Sequence, residues 1–365
     1  MGEGAPKGRM RAYMKKFISI ILILAITLTG LFFTTKLLEP KYMTGILEGA
    51  MIGEYYDDPT DHDVVFIGDC ELYENISPVY LWENYGINSY IRGSAQQLIW
   101  QSYYLAEETI KREHPDMIVF NVLSMKYNEP QNEAYNRMTI DGMKWSKSKV
   151  GSIKASMTED EHFIEYLFPI LRYHSRWSDL NSDDFKYLLH RDKVSFNGYY
   201  MRVDVKEATD VPEGRPLADY QFGDNAYYYL DKLTKLCKDN DVKLVLVKAP
   251  TLYPYWYDEW DKQMVDYAKE NNLTYINFLE AQDEMGLDWT KDTYDGGLHL
   301  NLAGAEKLSK YFGDILSKDM KVPDRRGDAA LEKYWKTVET RYEAEIDRQN
   351  TNLERYGNVH GEDED

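Results

Sequence analysis

Cysteine is scarce in this 365-residue chain: Cys70 and Cys237 are the only two, enough for one disulfide at most and too few for a disulfide-stapled scaffold. No cluster of Cys, His, Asp and Glu has metal-ligand spacing, and no Walker loop or dinucleotide fingerprint is present, so neither a metal nor another cofactor is expected. Gly68 stands alone, without the glycine spacing of a phosphate loop. No internal repeat is visible. Positive charge is also short. Lys and Arg number 43 against 62 Asp and Glu, a net of −19. Residues 1–36 hold six basic residues and one acidic; the remainder holds 37 against 61, a net of −24. A body so acidic repels phosphate backbones and argues against nucleic acid as a partner.

Apolar and aromatic side chains are plentiful. The hydrophobic fraction of 43% and aromatic fraction of 14% argue against disorder, and 31 Tyr with 8 Trp offer stacking surface for sugars. Phe17–Phe33 runs 17 residues without a charge, and Thr34 and Thr35 extend it to 19. About 20 residues cross a bilayer's hydrocarbon core. Five basic residues precede the run and Lys36 follows it. The positive-inside rule then gives a cytoplasmic basic N-terminus (1–16), a transmembrane anchor (17–35) and an extracytoplasmic body, single-pass in the cell membrane. A cleaved signal peptide is the rival reading, but no small-residue cleavage site follows the run.

Beyond a linker (36–60), five β-rich runs stand out: Val64–Gly68, Ile87–Ile91, Met117–Val122, Val242–Val247 and Leu273–Phe278. Helix-like stretches alternate with them at Ala95–Arg112, Asp224–Lys238, Asp258–Glu270 and Leu302–Leu316. The pattern predicts an α/β fold with a mostly parallel five-stranded sheet covered on both faces, and chemistry at the strands' carboxyl ends. Residues 61–322 then form the extracytoplasmic domain, with 125–220 as an inserted cap; an independent second domain is the alternative. Residues 323–365 read as a charged C-terminal helix and an acidic tail. Leu331, Trp335, Val338, Tyr342, Ile346 and Leu353 give that helix one apolar stripe, better suited to packing on its own domain than to an intermolecular coil.

The first strand runs into Gly68-Asp69-Cys70-Glu71, a glycine turn followed by a nucleophile-bearing residue, which is how an α/β fold exposes an attacking group. Far downstream, Asp295-Gly296-Gly297-Leu298-His299 supplies a general base with a carboxylate near enough to orient it. In this order the two elements resemble the SGNH (GDSL-type) hydrolase superfamily, over residues 60–125 and 225–315. The resemblance implies a three-layer flavodoxin-like fold. It places Cys70 at the nucleophile position, His299 at the histidine of the last block, and an oxyanion hole at the backbone N–H groups of Cys70 and Gly93 with the Asn121 side chain.

The departures carry information. Cysteine replaces serine, and a thiol beside His299 is expected to ionise more easily than a hydroxyl, favouring thioester-linked transfer; a degenerate, inactive position is the other reading. The last block usually reads Asp-x-x-His, whereas Asp295 stands four residues before His299, with Asp292 as fallback. Asn121 sits in Val119-Phe120-Asn121-Val122, without the usual Gly-x-Asn-Asp. The anchor and first block look like the DltD and AlgX branches. That likeness implies acyl transfer to an envelope polymer, as in teichoic-acid D-alanylation or polysaccharide O-acetylation, drawing on an acyl carrier and working beside a membrane-embedded O-acyltransferase.

Further substrate-binding candidates are Asp69 and Glu71 beside the nucleophile, His174 and Arg176 in the cap, and Tyr253, Tyr255 and Trp256 after the fourth strand. A structural hydrogen bond accounts equally well for His174, and ordinary packing almost as well for the aromatic trio. Cys237 shares a helix face with Leu233 and Leu236, at the sheet edge away from Cys70. Two function classes stay open: an extracytoplasmic esterase or acyltransferase acting on a cell-envelope glycopolymer through a Cys-His pair, or a non-catalytic module that binds such a polymer or the membrane-embedded O-acyltransferase.

Overall fold

Five short runs rich in Val, Ile and Phe become five strands in the computed structural model, which describes residues 7–41 and 50–362. The chain divides into two compact units, one containing residues 7–41 with 162–192, the other 50–161 with 193–362. In the first unit, helix α1 (Lys7–Leu38) carries the stretch Met10–Leu38, the one helix among the described residues long and apolar enough to cross a membrane. The same unit holds short helices at Phe163–Leu167, Ile170–Tyr173 and Ser182–Lys186.

The second unit is built on β1 (Val64–Gly68), β2 (Ser89–Gly93), β3 (Met117–Asn121), β4 (Lys243–Lys248) and β5 (Thr274–Asn277), all parallel in the order β2-β1-β3-β4-β5. This is the doubly wound, flavodoxin-like order, whose ligand crevice lies at the carboxyl ends of the strands. Among its helices are α2 (Cys70–Tyr73), α3 (Pro78–Tyr85), α4 (Ile99–Arg112), α5 (Asp224–Asp239), α6 (Asp258–Asn271), α7 (Leu302–Asp314) and α8 (Ala329–Tyr356).

Alternation along the strands creates two separate cores. Val65, Ile67, Ile118, Phe120, Leu244 and Leu246 pack with side chains of α4, α5 and α6. Val64, Phe66, Val119, Val245 and Val247 point the other way, into side chains of α3, α7 and α8. A strand buried on both faces must be apolar at every position, which is why these runs show no polar alternation.

Most boundaries differ from the sequence expectation by a residue or two, and two of the shifts have clear local reasons. Ile87 and Asn88 do not join β2, because Gly86 (φ 66°) ends α3 in a left-handed turn and Ile87 N–H still bonds the Leu81 carbonyl at 3.3 Å. Helix α4 starts at Ile99, not Ala95, because residues 94–97 close a turn: Gln97 N–H bonds the Ser94 carbonyl at 3.2 Å, with Gln96 at φ 50°. The stretch 125–220 is shared between the units, with Glu133–Ile140 and Lys147–Ser156 in the second and 162–192 in the first.

Helix α8 is an integral part of the second core. Trp335 is fully buried, stacks on Trp82 at 5.3 Å between centroids, and donates its indole N–H to Asn88 Oδ1 at 2.9 Å. Trp335→Ala should therefore lower unfolding stability by about 3–5 kcal/mol, read as a fall in the denaturant midpoint of the full-length protein.

Candidate active site

Everything proposed as chemistry hangs on the end of β1. A Cβ on Gly68 would meet Asn121 Cβ at 2.9 Å, so only glycine lets β1 end this close to β3. Gly68 pairs in register with Gly93, the last residue of β2. Asp69 then turns extended and caps α2, its Oδ1 accepting from Glu71 N–H at 3.2 Å. Cys70 is the first residue of that helix, and the residue as a whole is partly exposed. Glu74 follows one turn later, on the same face.

His299 arrives on a tight loop closed by a bridge between Thr293 and Leu300. Gly296 and Gly297 take φ of 87° and 103°, the left-handed region, which folds the loop back on itself. The turn brings Asp295 Oδ2 to 2.6 Å from His299 Nδ1, while Asp295 Oδ1 accepts His299 N–H at 2.9 Å and Leu298 N–H at 3.2 Å. A four-residue spacing thus reaches the imidazole. Asp292 is elsewhere engaged, with Lys307 Nζ at 2.6 Å and Asp288 N–H at 2.7 Å. Asn75 Oδ1 accepts Leu300 N–H at 2.7 Å and ties this loop to the end of the nucleophile segment.

On the far side of the ring, Nε2 is buried and has no hydrogen-bond partner. The Cys70 thiol adjoins the ring closely enough for each group to alter the other's ionisation. Glu74 also faces it, with Oε2 3.5 Å from His299 Nδ1 and a hydrogen bond from the Tyr294 hydroxyl. Tyr294 stacks on the imidazole at 6.0 Å, and the Arg202 guanidinium lies 4.6 Å over the Tyr294 ring.

The electrostatics bear on how readily Cys70 ionises. Burial pushes the Cys70 thiol above its ordinary range; His299 pulls it back only partly, and the charges of Asp69 and Glu74 add to the rise. The thiol is therefore harder to ionise than a free one. Burial alone would lower His299, but Glu74, Cys70 and the Asp295 hydrogen bond hold it well above its usual value. Burial raises Glu74 to about 7 and Asp69 to about 6. Burial thus favours the neutral thiol while the surrounding carboxylates favour the protonated imidazole, whereas reaction calls for a thiolate–imidazolium or a thiol–imidazole pair.

Beneath Cys70 lies a network that the sequence did not reveal. Lys248 Nζ donates to Glu71 Oε1 at 2.8 Å, to the Ala249 carbonyl at 2.7 Å and to Thr251 Oγ1 at 3.0 Å; both charged side chains are inaccessible to solvent. Asn121 Nδ2 donates to Asp69 Oδ1 at 2.9 Å and to Glu71 Oε2 at 3.0 Å. Both amide protons are thereby committed to carboxylates, so Asn121 is not available as an oxyanion donor in this arrangement. Glu71 is likewise closed to substrate, and Asp69 is buried. Lys126, at the end of the turn after β3, carries a half-buried ammonium 4.9 Å from the Tyr127 ring centroid and makes no ion pair among the described residues. Burial lowers its pKa, against the charges of Asp69, Glu71 and Cys70.

The remaining candidates separate. Tyr253 is half-buried and feels the charges of Asp295 and His299, and Leu252 N–H bonds the Gly297 carbonyl at 2.8 Å, so this turn borders the histidine loop. Tyr255 is exposed beside Tyr257. Trp256 is not a stacking platform: it is buried with Phe222 and Trp260, its indole N–H on Asp261 at 3.2 Å. His174 and Arg176 belong to the other unit, where His174 is exposed with Nδ1 at 2.9 Å from the Leu171 carbonyl and Arg176 pairs with Asp184 at 3.2 Å. Cys237 is a free thiol in the core. Of the groups missed, Glu74 alone had a local signal, its position one helical turn after Cys70.

No family model and no curated protein matches the chain. Solved structures similar to it include a Bacteroides fragilis protein described as an acylhydrolase, 13% identical, with 73% of this chain and 95% of that one covered at a TM-score of 0.36. A GDSL-like lipase from Bacteroides thetaiotaomicron is 14% identical, with 74% and 100% covered at a TM-score of 0.35. Similarity at this level assigns the chain to no family.

The charge arrangement sets an expected labelling profile. Iodoacetamide should modify Cys70 slowly at neutral pH and faster as pH rises, since thiolate is the reacting form. Glu74→Gln removes a charge that raises Cys70 directly and also the largest one that keeps His299 protonated, so the labelling curve should move, with the imidazole losing its proton at lower pH. Cys237 should react only on unfolding. A Cys70 curve unmoved by Glu74→Gln would show that Glu74 does not govern the thiol.

Proposed function

We propose that the chain is a membrane-anchored, extracytoplasmic esterase or acyltransferase that uses Cys70 as nucleophile on an acylated or acceptor cell-envelope glycopolymer. One observation carries the reading: a buried, unpartnered His299 Nε2, aligned from behind by Asp295, next to a thiol at the carboxyl end of a parallel sheet. The apolar helix α1, with its basic N-terminal flank, supports the anchor and its orientation.

In the chemistry this geometry permits, neutral His299 accepts the Cys70 proton as sulfur attacks the acyl carbonyl. Collapse of the tetrahedral adduct expels the first alcohol, which takes that proton from His299, and leaves an acyl thioester on Cys70. His299 then deprotonates a polymer hydroxyl or water, whose attack on the thioester expels the Cys70 thiolate, and the thiolate takes that proton back from His299. Asp295 holds the ring and stabilises its charged form. Developing oxyanion charge falls to the backbone N–H groups of Cys70 and Gly93 and to the Lys126 ammonium, each such donor worth about 2.7–4 kcal/mol of barrier. The net charge of −24 outside residues 1–36 favours an uncharged glycan over a polyphosphate as acceptor.

A second reading has its own support: the raised Cys70 thiol and the committed Asn121 amide suit a non-catalytic module that binds polymer or a membrane-embedded O-acyltransferase.

Incubation with a p-nitrophenyl ester or model thioester at mildly alkaline pH decides between them. Mass spectrometry should find an acyl adduct on Cys70, absent in Cys70→Ala, and His299→Ala should slow turnover by on the order of 10²–10⁴. Lys126→Met should lower kcat with little change in KM. Neither adduct nor turnover would leave the cleft as a binding site. Independently, protease added to spheroplasts should digest the body beyond residue 37; a protected body would reverse the orientation.

A further inference from the structure

The unit containing residues 7–41 and 162–192 exposes large apolar side chains at unusual density. Ile164, Leu167, Phe168, Leu171, Trp177 and Phe185, within 22 residues of sequence, are each between 45% and 73% exposed. Outside this segment and α1, exposed large apolar residues such as Trp145, Val205 and Val265 occur singly among the described residues, as is ordinary.

The segment is fastened to the end of α1. Arg176 Nη1 donates to the Leu38 carbonyl at 2.7 Å while Nη2 pairs with Asp184 at 3.2 Å, so one guanidinium caps the helix and clips it to Ser182–Lys186. Arg191 Nη1 adds a bond to the Lys41 carbonyl at 3.2 Å. Leu38 and Lys41 are buried by these contacts, whereas the apolar stretch of α1 before them is bare.

Length places the junction. The 19 uncharged residues ending at Thr35 rise about 1.5 Å each, roughly the ~30 Å thickness of a hydrocarbon core. Leu38, three residues further, then lies in the interfacial layer, and whatever is clipped to it lies there too. The chemistry of the segment suits that depth. Trp and Tyr with flanking Arg and Lys favour the headgroup boundary. Residues 162–192 carry four basic and five acidic side chains, nearly neutral in a chain otherwise strongly acidic, so anionic lipid does not repel them.

We propose that residues 162–192 form a collar around the exit of α1 and lie in the bilayer interface, with Ile164, Leu167, Phe168, Leu171, Trp177 and Phe185 embedded among phospholipids at the acyl–headgroup boundary. The collar rests on α1 spanning the membrane. It makes the bilayer surface itself a binding partner, through buried apolar area in the manner of an interfacial helix.

Full-length protein in phosphatidylcholine–phosphatidylglycerol vesicles, brominated either near the acyl carbonyl or near the chain end, provides the test. Of eight tryptophans, shallow bromines should quench about one-eighth of the emission in wild type, and this component should vanish in Trp177→Phe. Leu24→Trp, in the middle of the apolar run, should add emission quenched by the deep bromines. Quenching of Leu24→Trp without quenching of Trp177 would overturn the collar and leave the anchor standing, as would a Trp177 shielded by a second copy or another protein. If neither is quenched, α1 does not span and the collar falls with it.

Discussion

A fully buried ion pair holds the proposed catalytic end of the sheet together. Glu71 follows β1, Asn121 ends β3 and Lys248 ends β4, and their side chains meet with Thr251 beneath Cys70. Lys248 has three ammonium protons and spends them on Glu71, the Ala249 carbonyl and Thr251, so its donor capacity is met. Such a pair adds little stability over a well-packed apolar replacement, but losing one member strands a buried charge at about 3–5 kcal/mol. Its value here is positional: three strand ends are locked at one separation, and the Asp69–Cys70 turn stands on them.

Carboxylates around the nucleophile set the electrostatic character above that foundation. Asp69, Glu74 and Asp295 surround Cys70 and His299, and the burial that excludes water strengthens their influence. Negative surroundings favour imidazolium and oppose thiolate. Serine at position 70 would feel less of this conflict, since a hydroxyl is never required to ionise at rest; cysteine makes the balance of charge a determinant of reactivity.

The sheet was largely legible in the sequence, because strands buried on both faces leave unbroken Val/Ile/Leu runs. β2 was displaced because the Gly86 turn, a cap, outranked the β propensity of Ile87. Cys70, His299 and Asp295 were legible because each sits in a short local pattern at a strand end. Whether a four-residue spacing could work was not, since it depends on the positive φ of Gly296 and Gly297. Lys248 and Thr251 were invisible: their partner Glu71 is 177 and 180 residues away. Trp256 misled because exposed and buried aromatics look alike until Phe222 and Trp260 are seen packing on it. Asn121 was readable as a residue, but not the commitment of its amide.

That commitment has a pH dependence of its own. Asp69 loses its proton at about 6, so above that pH it is the acceptor that holds one Asn121 N–H. The thiol, raised by burial, ionises only at higher pH. The conditions that make Cys70 nucleophilic are therefore those in which Asn121 is most firmly tied to Asp69 and Glu71. Release of the amide and activation of the sulfur run in opposite directions, and a mechanism needing both would find no good pH. On the acyl-transfer reading, oxyanion stabilisation must then come from groups whose availability holds with pH: the fixed backbone amides at Cys70 and Gly93, joined by the Lys126 ammonium only below the pH at which burial, opposed by Asp69 and Glu71, lets it lose its proton.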